Sequence, residues 1–93
     1  MNKIILFTTQ GCEGCVIAER LLKRVVENKN IKLEVNDVYD YINASEQNKH
    51  FISRYFINDY PTTVFMRDNE VLTKCIGTMS MAQIEELIKY YYL

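Results

Sequence analysis

Residues 4–15 read Ile4-Ile5-Leu6-Phe7-Thr8-Thr9-Gln10-Gly11-Cys12-Glu13-Gly14-Cys15. The stretch passes from a continuous apolar run, through a short polar turn, to two cysteines separated by two residues. Beyond it Ala18, Leu21, Leu22 and Val25 recur at the i, i+3, i+4, i+7 spacing of an amphipathic helix. Two thiols therefore sit where a strand hands over to a helix. A helix N-terminus presents unpaired N–H groups and roughly half a positive charge, and both favour thiolate over thiol. The thiolate is the nucleophile of disulfide exchange, and such a setting lowers a cysteine pKa from about 8.5 to about 7 or below. Cys12, closer to solvent and to the dipole, is assigned as the nucleophile. Cys15, one turn in, is assigned as the resolving thiol that releases a mixed disulfide.

Other readings of a Cys-x-x-Cys pair need more partners than this chain has. A zinc site usually takes four ligands, often as paired Cys or His. The remaining candidates, Cys75 and His50, stand alone in the sequence. No metal ligand set is assigned. Two incidental buried thiols are the plainest alternative, and the strand-to-helix setting argues against it.

The 93 residues carry 48% apolar and 25% charged side chains and a net charge of −1. That is ordinary globular composition for one domain spanning 1–93. A near-zero charge gives no electrostatic footprint for nucleic acid or an anionic membrane. The N-terminal apolar run is shorter than a signal peptide's core, and no stretch approaches a membrane span. The chain is expected in the cytoplasm, as a monomer. In a reducing compartment a Cys-x-x-Cys pair is expected to be reactive rather than structural. Asn43-Ala44-Ser45 matches a glycosylation sequon and is read as chance without a secretory route.

Asn2 to Phe7 reads as a strand covered on both faces. A helix over Glu13–Val26 follows, its wet face marked by Glu19, Arg20, Lys23 and Arg24. Ile31, Leu33 and Val35 alternate with polar residues, which predicts a strand near a sheet edge. Asn43 before Ala44-Ser45-Glu46 reads as a helix start, with Phe51, Ile52, Tyr55 and Phe56 on the buried side. Thr62–Met66 and Val71–Ile76 flank the turn Arg67-Asp68-Asn69-Glu70 and predict an antiparallel hairpin. Ser80 with Gln83 predicts a capping box, opening a last helix with Ile84, Leu87, Ile88 and Tyr91 inward. The order β-α-β-α-β-β-α predicts an α/β fold, a mixed four-stranded sheet with helices on both faces.

This order, the Cys12–Cys15 pair at the first strand–helix junction and Tyr60-Pro61-Thr62-Thr63-Val64-Phe65 together resemble the thioredoxin fold, and within it a glutaredoxin. Cys75-Ile76-Gly77-Thr78 leading into Ser80 adds to that likeness. A plain thioredoxin resembles Trp-Cys-Gly-Pro-Cys and has an acid in the preceding strand; here Gln10-Gly11 and Ile4-Ile5-Leu6-Phe7 stand in those places. The resemblance implies a dithiol–disulfide oxidoreductase that reduces protein disulfides. It implies a cis Tyr60–Pro61 bond beside Cys12, with the Tyr60 backbone free to pair with an extended substrate. It also implies a glutathione site built from Thr9, Tyr60, Pro61, Thr78, Met79 and Ser80, the last two at a helix N-terminus that receives a carboxylate.

The chain departs from the glutaredoxin pattern where glutathione would be gripped. Glu13-Gly14 replaces Pro-Tyr between the cysteines. Thr9 stands where a lysine is common, Asn58 and Asp59 where a base is common, and Gly77-Thr78 where two glycines are common. The resemblance thus shifts toward small redoxins that serve protein partners such as ribonucleotide reductase and are reduced by thioredoxin reductase. No tightly bound cofactor is expected, and glutathione is a weak reductant. The competing class is a metal or iron–sulfur binding module of the same fold. Glu13 reads as a solvated acid at a helix start, Cys75 as a small core hydrophobe, and His50 as a solvated helix residue.

Overall fold

The strand β1 (Asn2–Thr8) is central, and its side chains alternate between two apolar layers. Ile4 and Leu6 point into one layer, Ile5 and Phe7 into the other, and all four are buried. The computed structural model describes residues 1–93. β2 (Ile31–Asp37) lies parallel to β1 in the register Asn2↔Ile31 to Thr8↔Asp37. β3 (Thr62–Arg67) lies antiparallel on the other side, with Phe7 opposite Thr62. β4 (Glu70–Ile76) closes the hairpin on β3, and the sheet order is β2-β1-β3-β4. The polar alternation of β2 thus marks a true edge.

The helices cover both faces, as the sequence predicts. On one, Ala18, Leu22 and Val25 of α1 (Glu13–Val26) and Ile84 and Ile88 of α4 (Met81–Tyr92) pack on Ile4, Leu6 and Phe65. On the other, Tyr41 of α2 (Val38–Ala44), Phe51 and Ile52 of α3 (Glu46–Arg54), and Tyr55 pack against Ile5, Phe7, Val64 and Met66. Phe7 meets Tyr41 edge-on at 5.0 Å between ring centroids, and Phe51 meets Tyr55 at 4.7 Å. No helix is long and apolar enough to cross a membrane.

Three local readings need correction. The second helical region is two helices joined at Ser45. Asp37 Oδ1 caps α2 by accepting the Tyr39 N–H, and Ser45 Oγ caps α3 by accepting the Asn48 N–H. Ser45, rather than Asn43, therefore begins α3, because its backbone is extended there while Asn43 is already helical. Phe56 is exposed rather than buried: its φ is +52°, the chain has left the helix, and Ile57 takes the core place. In α4 the aromatic docked on the core is Tyr92, not Tyr91. Its ring lies against Phe65 and its hydroxyl reaches the carbonyls of Lys3 and Met66 at 2.9 and 2.8 Å.

Candidate active site

β1 ends at Thr8, and Gly11, at φ +68°, turns the chain into α1. Cys12 is the N-cap of that helix, with extended backbone and its Sγ accepting the Cys15 N–H at 3.1 Å. The sulfur thus takes the place that a serine or aspartate oxygen usually fills at a helix start. A thiolate there receives a directed N–H and the positive end of the helix dipole. Cys12 is half-buried, whereas Cys15 is 4% exposed. The two form a disulfide with Cα atoms 5.2 Å apart. One sulfur is thus partly open to a partner, and the other is buried behind it.

Thr8, Thr9, Glu13, Val16 and Glu19 line a cleft of about 460 Å³ with the two cysteines. Across the motif the Tyr60–Pro61 bond is cis, as expected. The Pro61 carbonyl accepts the Gly77 N–H at 2.8 Å, while the Tyr60 N–H and carbonyl take no backbone partner. Tyr60 is half-buried, and its hydroxyl donates to the Ile57 carbonyl. Burial pushes the phenol pKa up, and the charges of Asp37 and Asp59 push it further.

The residues expected to meet glutathione fall in different places. Thr9 is in the cleft with Cys12. Thr78 donates through its hydroxyl to the Gly14 carbonyl at 3.3 Å. Met79 lines a separate cleft with Cys75 and Leu87. Ser80 caps α4: its Oγ accepts the Gln83 N–H, and its own N–H donates to Gln83 Oε1 at 2.9 Å. An incoming carboxylate at this helix start would therefore meet the Met79 N–H and the Ser80 hydroxyl, the Ser80 N–H being engaged. Arg54, the nearest cation in sequence before Pro61, lies over the Tyr55 ring at 5.7 Å.

The contact between Gly14 and the Gly77-Thr78 corner was not foreseen. A β-carbon on Gly14 would lie 2.8 Å from Thr78 Oγ1 and 3.4 Å from Pro61 Cδ. The space beside the motif is thus taken by the chain's own residues, not left for a partner. A glycine in a helix's first turn was the available signal, since it weakens the helix unless something approaches closely. Cys75 is half-buried on β4 opposite Thr63, and burial raises its thiol pKa, which suits a packed and unreactive sulfur. His50 is exposed on α3. No three His, Cys, Asp or Glu side chains converge as a metal ligand set.

Residues 3–89 match the family model described as Glutaredoxin-like domain (DUF836). The chain belongs to this glutaredoxin-like family. Solved structures agree on the fold. A mutant thioredoxin from Halobacterium salinarum superposes with a TM-score of 0.79 at 21% identity, covering 99% of this chain and 75% of that one. Thioredoxin-2 of a malaria parasite gives 0.77 at 15% identity, with 98% and 84% covered. A chloroplastic thioredoxin z gives 0.72 at 23% identity, with 97% and 77% covered. At these identities the likeness is one of fold. No curated protein matches the sequence. The glutaredoxin-like family, the thioredoxin fold and the Cys12–Cys15 pair together support oxidoreductase chemistry in general.

Proposed function

We propose that this glutaredoxin-like chain reduces disulfides in protein substrates through Cys12 and Cys15, and that glutathione serves it poorly. The observation that carries this reading is the asymmetry of the pair. Cys12 is accessible and caps α1, while Cys15 is buried behind it. The Cys12 thiolate attacks one sulfur of the substrate disulfide and expels the other as a thiolate. The Cys15 thiolate then attacks Cys12 Sγ, closing the Cys12–Cys15 disulfide and expelling the second substrate sulfur. Two electrons pass from the dithiol to the substrate, and two protons complete the substrate thiols. The free Tyr60 N–H and carbonyl offer an extended substrate backbone a partner beside the reacting sulfurs. The cleft holds Thr9 and no lysine or arginine, which leaves a glutathione carboxylate without a charged partner. A thioredoxin-reductase-type enzyme fits better as the source of electrons, and protein partners such as ribonucleotide reductase as their destination, in the cytoplasm.

Chemically reduced protein, freed of reductant, is mixed with insulin, and free thiols are counted by alkylation and mass. Loss of two protein thiols with gain of two substrate thiols is expected. No exchange with any protein disulfide would overturn the reading. Turnover with NADPH is then compared for thioredoxin reductase and for glutathione with glutathione reductase, and the first is expected to be faster.

A further inference from the structure

The peptide that joins Gly14 to Cys15 is engaged at both ends. Its N–H, on Cys15, donates to Cys12 Sγ at 3.1 Å. Its carbonyl, on Gly14, accepts the Thr78 hydroxyl at 3.3 Å. The Thr78 hydroxyl, this peptide and the Cys12 sulfur therefore form one chain of donors and acceptors, all pointing the same way. A carbonyl oxygen has two lone pairs, so accepting from Thr78 leaves its place in the α1 ladder intact. A peptide that accepts a hydrogen bond at its oxygen becomes a better donor at its nitrogen, by about 10–30% per bond.

Two features hold Thr78 in that position. The Gly77 N–H donates to the Pro61 carbonyl at 2.8 Å, which anchors the corner before α4. Gly14 lacks the β-carbon that would lie 2.8 Å from Thr78 Oγ1, so the hydroxyl can come down on the peptide. Thr78 lies outside the cleft into which Cys12 opens, and its hydroxyl is bonded to the peptide rather than to the sulfur.

We propose that Thr78 is a positioning residue for the nucleophile. Acting through the Gly14–Cys15 peptide, its hydroxyl strengthens the Cys15 N–H bond to the Cys12 thiolate and so favours the ionised, reactive sulfur. The proposal rests on the disulfide-reductase reading above and names what tunes its nucleophile. The Cys12 proton leaves for solvent, and Thr78 neither takes nor gives one. A hydrogen bond to a charged sulfur is strong enough that a change of this size moves the ionisation by a few tenths of a pH unit. The thiolate population on the acid side of the titration then changes about two- to threefold. Other groups also act on the Cys12 charge. Glu13 and Glu19 line its cleft, Glu19 paired with Lys23. Asp37 ends β2 opposite Thr8, and Asp59 and the Tyr60 phenol precede Pro61. The first turn of α4 carries no acid. A change confined to the Thr78 hydroxyl leaves all of these as they are.

The test compares Thr78→Val, which removes the hydroxyl and keeps the branched shape, with Thr78→Ser, which keeps the hydroxyl. Each reduced protein is treated with iodoacetamide across a range of pH, and Cys12 labelling is followed by peptide mass. Thr78→Val should label about two- to threefold more slowly than wild type on the acid side and match it at alkaline pH, its midpoint having moved up. Thr78→Ser should follow the wild type. In amide NMR spectra of the reduced proteins, the Cys15 amide proton should move upfield in Thr78→Val alone, as a weaker hydrogen bond requires. An unmoved midpoint in Thr78→Val, or a Thr78→Ser profile that matches the valine variant, would overturn the proposal. So would slower labelling by the same factor at every pH, which marks altered helix geometry rather than altered ionisation. Labelling needs no disulfide substrate, so these outcomes leave the reductase reading standing. Failure of the wild type to exchange with insulin would overturn that reading and not the tuning of Cys12.

Discussion

Thr78 Oγ1 donates to the Gly14 carbonyl at 3.3 Å, and a β-carbon on Gly14 would lie 2.8 Å from that same oxygen. Gly14 between the cysteines and the corner before α4 are therefore one unit. The glycine at 14 and the threonine at 78 fit each other: the first lacks the atom that the second would strike. Pro61, at 3.4 Å from the same absent β-carbon, closes the third side. The floor of the site is thus set by three segments far apart in sequence.

Gly14→Ala tests this fit. Alanine favours a helix by about 1 kcal/mol over glycine. Against that, Thr78 must rotate away and lose a hydrogen bond of about 0.5–1.5 kcal/mol. The single substitution should leave urea stability within about 1 kcal/mol of wild type. In Thr78→Gly protein, where nothing blocks the β-carbon, Gly14→Ala should be more stabilising by about 1 kcal/mol than in wild type. Additive effects in the double-mutant cycle would show that the two residues do not constrain one another.

The dithiol roles separate by alkylation. With limiting iodoacetamide on the reduced chain, Cys12 should be labelled first, since Cys15 is buried and Cys75 is half-buried with a raised pKa. Cys12→Ser should abolish exchange. Cys15→Ser should stop at a mixed disulfide on Cys12, visible as a mass adduct that dithiothreitol removes. First labelling at Cys15 or Cys75 would reverse the assignment.

The succession of strands and helices along the chain, the edge position of β2, the covering of both faces of the sheet and the dithiol were legible because each is written in local pattern. Ile4-Ile5-Leu6-Phe7 is apolar on both faces, Ile31–Val35 alternates, and Cys12–Cys15 opens a helical period. What escaped were choices between neighbours. Ser45 and Asn43 both make good caps, and only the break between α2 and α3 decides between them. Phe56 and Ile57 are both apolar, and a positive φ at 56 turns one out and the other in. Tyr91 fits an ideal helical stripe, but two carbonyls fix Tyr92 instead. The Gly14–Thr78 contact and the placement of Asp37 beside Thr8 need the sheet and the corner in three dimensions. No periodicity encodes them.

Tyr92 gives a pH-dependent prediction. Its hydroxyl lies near the Lys3 and Met66 carbonyls, and burial pushes its pKa up to about 12. A raised folded-state pKa means that the neutral phenol is favoured by folding. The stability it contributes is complete below the unfolded value near 10 and is lost as pH rises toward about 12. Partial exposure screens the effect, so the drop should be modest. Tyr92→Phe should cost about 0.5–1.5 kcal/mol at pH 7 for the lost hydrogen bonding. It should also flatten part of the decline in urea midpoint between pH 10 and 12. An unchanged alkaline decline in the variant would place the titration on other tyrosines.

The last prediction concerns glutathione. A glutathionyl group on Cys12 carries two carboxylates, and the structure offers them unequal partners. At the start of α4 the Met79 N–H and the Ser80 hydroxyl remain available, whereas the Ser80 N–H is held by Gln83. In the cleft itself Thr9 supplies only a neutral hydroxyl, and Glu13 adds like charge. A lysine in place of Thr9 would add a charge-assisted hydrogen bond, worth about 1.5–3 kcal/mol when shielded and less in an open cleft. That converts to roughly tenfold in affinity. Thr9→Lys should therefore lower the KM for glutathione, or raise the rate of deglutathionylation of a model mixed disulfide, by about tenfold. Insulin reduction fed by thioredoxin reductase should change far less, because a protein substrate brings its own backbone to Tyr60. Gln83→Ala offers an independent check: it frees the Ser80 N–H for a carboxylate while weakening the α4 cap. If Thr9→Lys leaves glutathione kinetics unchanged and wild type already matches an efficient glutaredoxin, the glycyl carboxylate is received elsewhere and the weakness assigned to Thr9 is wrong.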